Sequence, residues 1–121
     1  LHNHSQFSVL QSTISIKDLV DSTSKHKMPA VALTDHANMM GSFRFINEVT
    51  RYNKQILIDN SKLSDDDKDK IKSPIKPILG CEFFVCEDHL NKSFKDYGYQ
   101  IVLLAKNKNG YQNLAKLTYK T

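Results

Sequence analysis

The residues of this chain best suited to chemistry are imidazoles and carboxylates, and they fall in three short segments. His2-Asn3-His4 puts two imidazoles at alternate positions. On extended backbone, side chains at i and i+2 point the same way, so both rings can reach one metal ion. The pattern is short enough to recur by chance. Thr34-Asp35-His36 follows the apolar run Ala30-Val31-Ala32-Leu33. An Asp-His pair at the C-terminal end of a buried strand is well placed for ligation, with the carboxylate orienting a ring. The same residues also read as a helix cap, Asp35, beside a surface histidine, His36. Glu82 stands inside the segment Lys76-Pro77-Ile78-Leu79-Gly80-Cys81-Glu82-Phe83-Phe84-Val85. An acid within an apolar strand is costly unless it is paired or metal-bound; the alternatives are an exposed edge position or a salt bridge to a lysine. Taken together, these nitrogen and oxygen donors suit zinc, manganese or iron better than calcium. Such a cluster commonly serves hydrolysis, in which metals activate water and clamp a phosphate.

The other polar groups read as structural. His26 falls in the last turn of a helix, where a cation complements the dipole, and His89 lies in a polar loop. The acidic run Ser64-Asp65-Asp66-Asp67-Lys68-Asp69-Lys70 lacks the glycine turn and distal glutamate of a calcium loop, so it reads as a solvated insertion. Cys81 and Cys86 each sit in an apolar run, as buried reduced thiols do. Five residues apart on one strand, they face opposite sides and do not bridge, which agrees with a cytoplasmic location.

The elements that must position these groups alternate in type. Ser15-Ile16-Lys17-Asp18 has the form of a capping box, and helical spacing of Ile16, Leu19 and Val20 predicts a helix over 16–26, ended by Met28-Pro29. Ala30–Leu33 predicts a strand buried on both faces. Phe43, Ile46 and Val49 predict a helix over 38–54, with a Met and aromatic stripe that reads as core. The pattern breaks over 56–74. Strands are predicted over 76–86 and 99–105, and a last helix over 109–119. Strands alternating with amphipathic helices indicate an α/β fold with a mainly parallel sheet and flanking helices, with chemistry at the C-terminal ends of the strands.

Composition sets the frame. The 121 residues are 40% hydrophobic and 25% charged, ordinary for a globular domain. No apolar run approaches the roughly 20 residues that span a bilayer, and no basic-then-apolar leader opens the chain, so no membrane partner is expected. The formal net charge of +4 is spread along the chain without the clustered aromatics of a single-strand nucleic-acid platform.

Four blocks, in order, carry a resemblance. His2-Asn3-His4-Ser5-Gln6-Phe7-Ser8-Val9-Leu10, Met28–Met39 and Lys76–Glu82 resemble the opening of the PHP domain of bacterial DNA polymerase III alpha subunits. Tyr99–Asn107 with Gly110-Tyr111-Gln112-Asn113-Leu114 is similar to the next block of that family, which separates the polymerase branch from the small PHP phosphatases. The resemblance leaves out only 56–74 and 86–97. It implies that residues 1–121 are the N-terminal portion of a PHP domain, a distorted (β/α)7 barrel with up to three metals at the strand ends, carrying a charged surface insertion at about 56–75. It implies His2, His4, His36 and Glu82 as metal ligands, with Asp35 supporting a ligand or acting as a structural cap. Zinc or manganese are the implied metals. Two positions depart from the family pattern: Gln11 stands where an Asp is usual and Gln100 where a His is usual. A neutral amide is a poor ligand for these metals, and the family's remaining ligands, a Cys or His and a later Asp-x-His, fall beyond residue 121. The resemblance thus implies a structural or docking module with an impaired metal site. Its parent would be a replicative, DNA-directed DNA polymerase that uses magnesium and works with DNA, a proofreading exonuclease and other replisome subunits. No catalytic residue of that polymerase falls within this chain, which is inactive by itself on this reading. An active metal-dependent phosphoesterase or 3′–5′ proofreading exonuclease is the alternative.

Overall fold

The computed structural model describes residues 1–91, 93 and 98–120. Its elements are α1 (Ile16–Lys25), β1 (Ala30–His36), α2 (Ser42–Ser61), β2 (Lys76–Val85), β3 (Tyr99–Leu104) and α3 (Lys108–Lys120), with a 3₁₀ segment at Asp65–Lys70. The mixed α/β class agrees with the sequence pattern. The three strands form one sheet in the order β1-β2-β3. β1 and β2 pair in parallel, whereas β3 joins β2 antiparallel, so one of the two pairings departs from a parallel sheet. The α2 helix provides the long crossover that parallel pairing of β1 and β2 needs. No helix is assigned among the described residues between β2 and β3, and an antiparallel neighbour needs none. Part of the 86–97 stretch lies outside the described residues.

Local chemistry explains the helix ends. The Ser15 hydroxyl accepts the Asp18 backbone N–H at 3.1 Å and donates to the Asp18 carboxylate at 2.6 Å, so α1 starts where the capping pattern indicated. At its other end the His26 backbone N–H and Nδ1 both donate to the Ser22 carbonyl. His26 thus stands just past α1 as its cap rather than within the last turn, and His89 is exposed. α2 starts later and runs further than its periodicity indicated. Asn38 to Gly41 form a turn, and residues 56–61, the first part of the expected insertion, are the last turns of the helix. Ile56 and Ile75 are both buried at the edges of that stretch, while the 3₁₀ segment between them has no buried residue.

All three helices pack on one face of the sheet. Ile16, Leu19 and Val20 of α1, Phe45 and Val49 of α2, and Val31 and Leu33 of β1 form the main core with Ile75. A smaller cluster seats Leu114 of α3 on Cys81 and Phe83. Side chains alternate along a strand. The opposite face therefore carries Thr34 and His36 of β1, Gly80, Glu82 and Phe84 of β2, and Gln100 and Val102 of β3. No helix of the described residues covers this second face. None of the helices is long and apolar enough to cross a membrane.

Gly80 is the tightest point of the sheet. A Cβ there would stand 2.5 Å from the Leu103 carbonyl oxygen, 2.8 Å from a Leu104 methyl and 2.9 Å from the Thr34 methyl. Both neighbouring strands approach because nothing projects from this position. Gly80→Ala is expected to lower stability by about 1–3 kcal/mol through overpacking, read as a lower urea midpoint. An unchanged midpoint would mean that the strands are less closely set.

Candidate metal centre

The N-terminal segment reaches the sheet as a short edge. The Thr34 backbone N–H donates to the Asn3 carbonyl at 2.9 Å, and the Asn3 N–H donates to the Thr34 hydroxyl at 2.9 Å. The Asn3 side-chain amide adds a bond to the Ala32 carbonyl at 3.1 Å. This extended pairing turns His2 and His4 to the same side, as their i, i+2 spacing requires.

Asp35 fixes the turn that begins at Ser5. Its carboxylate is buried and accepts the Ser5 N–H at 2.6 Å, the Ser5 hydroxyl at 2.7 Å and the Ser8 hydroxyl at 2.8 Å. The Ser8 hydroxyl oxygen in turn accepts the His36 backbone N–H at 2.9 Å. Asp35 thus caps the turn after His4 and makes no bond to an imidazole. Removing it would strand three donors, all of them on the buried Ser5 and Ser8, at about 1–3 kcal/mol for each unsatisfied group. Thr34, Asp35 and His36 belong to β1 itself rather than to the loop after it.

Parallel register places His36 directly beside Glu82. Glu82 is 1% exposed, which in a sheet interior demands compensation for lost hydration. Imidazoles supply it. Nε2 of His2 and Nε2 of His4 both meet Oε2 of Glu82, the latter at 3.0 Å, and Nδ1 of His36 lies 3.3 Å from Oε1. Gln100 donates its amide to Oε1 at 3.3 Å. Among the described residues no lysine or arginine pairs with Glu82, so neither the edge nor the salt-bridge alternative applies. The rings of His2 and His4 stand edge to face with centroids 5.3 Å apart, and His36 stands edge to face with Phe84 at 5.1 Å. One donor atom from each of His2, His4 and Glu82 lies within 4.8 Å of the others. His36 approaches the same carboxylate from its other oxygen, outside that group of three. Two imidazole nitrogens and a buried carboxylate are the donors a divalent transition metal takes, and its charge would offset the burial of Glu82.

The two glutamines are placed differently. Gln100 touches the cluster. Gln11 is exposed at the end of the 6–11 turn, held by its backbone N–H to the Ser8 carbonyl at 3.0 Å. Sequence reasoning assigned no role to Asn3, Ser5 or Ser8. The pair of serines following the two histidines was a visible signal, but their partner Asp35 lies 27 to 30 residues away. Cys81 is buried and its thiol donates to the Asp35 carbonyl at 3.2 Å; burial pushes it up to about 11, so it stays protonated and apart from the donor set. Cys86 is only partly buried and lies beyond the end of β2, so the two thiols do not share a strand.

Burial pushes the Glu82 carboxyl up, but hydrogen bonds from His2, His4 and His36 outweigh it and hold the group below its ordinary value of 4.5. A depressed folded value stabilises the fold above the unfolded value and loses that contribution as pH falls through the folded one. The urea midpoint should therefore drop between pH 5 and roughly pH 3 more steeply in the wild type than in Glu82→Gln. Parallel drops in both proteins would remove Glu82 from the acid response.

Comparison with known proteins identifies the family. The family model of the PHP domain matches residues 1–120. DNA polymerase III subunit alpha of Chlamydia pneumoniae is 34% identical over 122 residues, covering 98% of this chain and 8% of that protein. The subunit of Borreliella burgdorferi is 34% identical over 122 residues, with 98% and 9% covered, and that of Treponema pallidum is 33% identical over 126 residues, with 99% and 9% covered. This chain spans less than a tenth of the length of these relatives. A histidine pair, the strand-borne His36 and a buried glutamate meet on one sheet face, and the family model matches nearly the whole length, so this chain is a member of the PHP domain family.

Proposed function

We propose that this chain is the PHP module of a bacterial replicative DNA polymerase alpha subunit, serving as a structural or docking platform with a reduced metal site. The observation that carries the reading is Gln100, whose neutral amide occupies the corner of the cluster nearest Oε1 of Glu82. An amide donates there, where an imidazole would offer a ligand lone pair. On this reading His2, His4 and Glu82 would hold one zinc or manganese ion, with His36 alongside and Asp35 holding the turn that presents His4. When bound, such an ion supplies Lewis acidity and an activated water. The chain's own residues supply position: Asn3 pairs the segment to β1, the Asp35–serine clamp fixes its exit, and the sheet buries the carboxylate.

The wider assignment extends the names of the relatives by what the family resemblance implies. The parent would be a DNA-directed DNA polymerase that uses magnesium at a separate active site, acts on DNA in the cytoplasm, and works with replisome subunits including a proofreading exonuclease. The open face of the sheet fits the inside of a distorted β/α barrel, with the charged 56–75 stretch outside it. A fully active phosphoesterase or 3′–5′ exonuclease is disfavoured by Gln100 and by Gln11, which stands where the family pattern has an acid.

Isothermal titration of the intact protein with zinc and with manganese should show one tight site at this cluster, lost in Glu82→Gln. Gln100→His should tighten zinc binding by on the order of tenfold. Three tight sites, or robust 3′–5′ exonuclease activity of the wild type that is lost in Glu82→Gln, would contradict the reduced-site reading.

A further inference from the structure

A cavity of about 580 Å³ opens at the end of the sheet opposite the histidine cluster. His36 ends β1 and Glu82 pairs beside it, whereas this cavity is built where β1 and β2 begin, roughly 20 Å away at about 3.3 Å per residue. Its apolar lining comes from Met28, Tyr52, Ile71 and Ile75. Ile75 is buried, while Met28 and Ile71 are more than half exposed. The Tyr52 hydroxyl is bonded to Ser24, which leaves the ring facing the space as an apolar wall.

The rim is basic. Lys25 ends α1 and Lys27 follows its cap, while Lys70 ends the 3₁₀ segment and Lys72 follows it; Asp69 is the single acid of the lining. Lys70 is held by Asp67 at 3.2 Å. Among the described residues Lys25, Lys27 and Lys72 make no ion pair. The lining thus sets four lysines against one acid in one concave place.

Shape and field decide between anionic ligands. A phosphate group is usually cradled by backbone N–H groups at a helix N-terminus or a glycine-rich turn. This cavity has no glycine and no helix N-terminus among its lining residues. Carboxylates dispersed along a chain suit separated, mobile ammonium groups better than one compact dianion does, and an apolar floor of this volume takes a large side chain. We propose that this cavity docks an acidic peptide segment, which inserts one bulky apolar side chain against Met28, Tyr52 and Ile71 and sets flanking carboxylates on Lys25, Lys27 and Lys72. The site is separate from the histidine cluster and stands whether or not that cluster binds metal.

The test measures fluorescence anisotropy of a labelled eight-residue peptide, a central leucine flanked by glutamates, against the intact protein. The double substitution Lys25→Glu with Lys72→Glu should weaken binding by roughly tenfold or more, and so should Ile71→Asp. Replacing the peptide's glutamates by glutamines should abolish salt-sensitive binding. All three altered side chains are exposed, and the charge reversal at the end of α1 opposes the helix dipole only weakly, so each variant should still melt cooperatively, close to the wild-type temperature. No binding of the glutamate peptide, or binding indifferent to both variants, would overturn the proposal. So would charge reversals that weaken binding of a labelled single-stranded oligonucleotide while leaving the peptide unaffected, which would assign the rim to nucleic acid.

Discussion

The arrangement of this chain turns on one buried charge. Glu82 is 1% exposed on the central strand of a three-stranded sheet, and a carboxylate there is tolerated only if something replaces its water. Three imidazoles and an amide do so, and they arrive from different parts of the chain: His2 and His4 from the terminal segment, His36 from β1 and Gln100 from β3. Each element next to the sheet's open face therefore has a reason for its place. The terminal segment must pair with β1, β1 must sit in register with β2, and β3 must lie close enough for Gln100 to reach across.

The supports of that cluster are themselves polar and buried. Asp35 lies on the helix-facing side of β1, yet its carboxylate points to Ser5 and Ser8 rather than to a ligand ring. The buried side-chain nitrogens and oxygens of the described residues all have partners. A network satisfied in this way specifies one geometry, because any alternative leaves a donor or acceptor unpaired. The cost of burying Glu82 is thereby converted into a defined placement of two imidazoles.

Much of this is legible in the residues, and the gaps have physical causes. The start of α1 is readable because Ser15 and Asp18 cap it locally, and its end because Met28-Pro29 comes next. The C-terminal reach of α2 is not, since Leu57 and Ile58 are exposed and break the apolar period that marks a buried face. From residue types alone β1 ends at Leu33, because Thr34-Asp35-His36 looks like a loop; only tertiary partners make those polar residues suitable for a strand. The antiparallel sense of β3 has no local signal in an apolar run. For the site, residue type points to the imidazoles and to Glu82, while the clamp at Asp35 depends on partners 27 to 30 residues away. Gln100 and Gln11 look equivalent in the sequence, and the register of β3 separates them.

The rings of His2 and His4 converge on one carboxylate and act as a unit. Long-range proton–nitrogen correlation NMR of the imidazoles, recorded while zinc is added to the protein, tests this directly. The ring nitrogens of His2 and His4 should shift together at one equivalent, while those of His26 and His89 stay at their free positions. Independent shifts of all these rings, or no change at His2 and His4 before the exposed histidines respond, would contradict it.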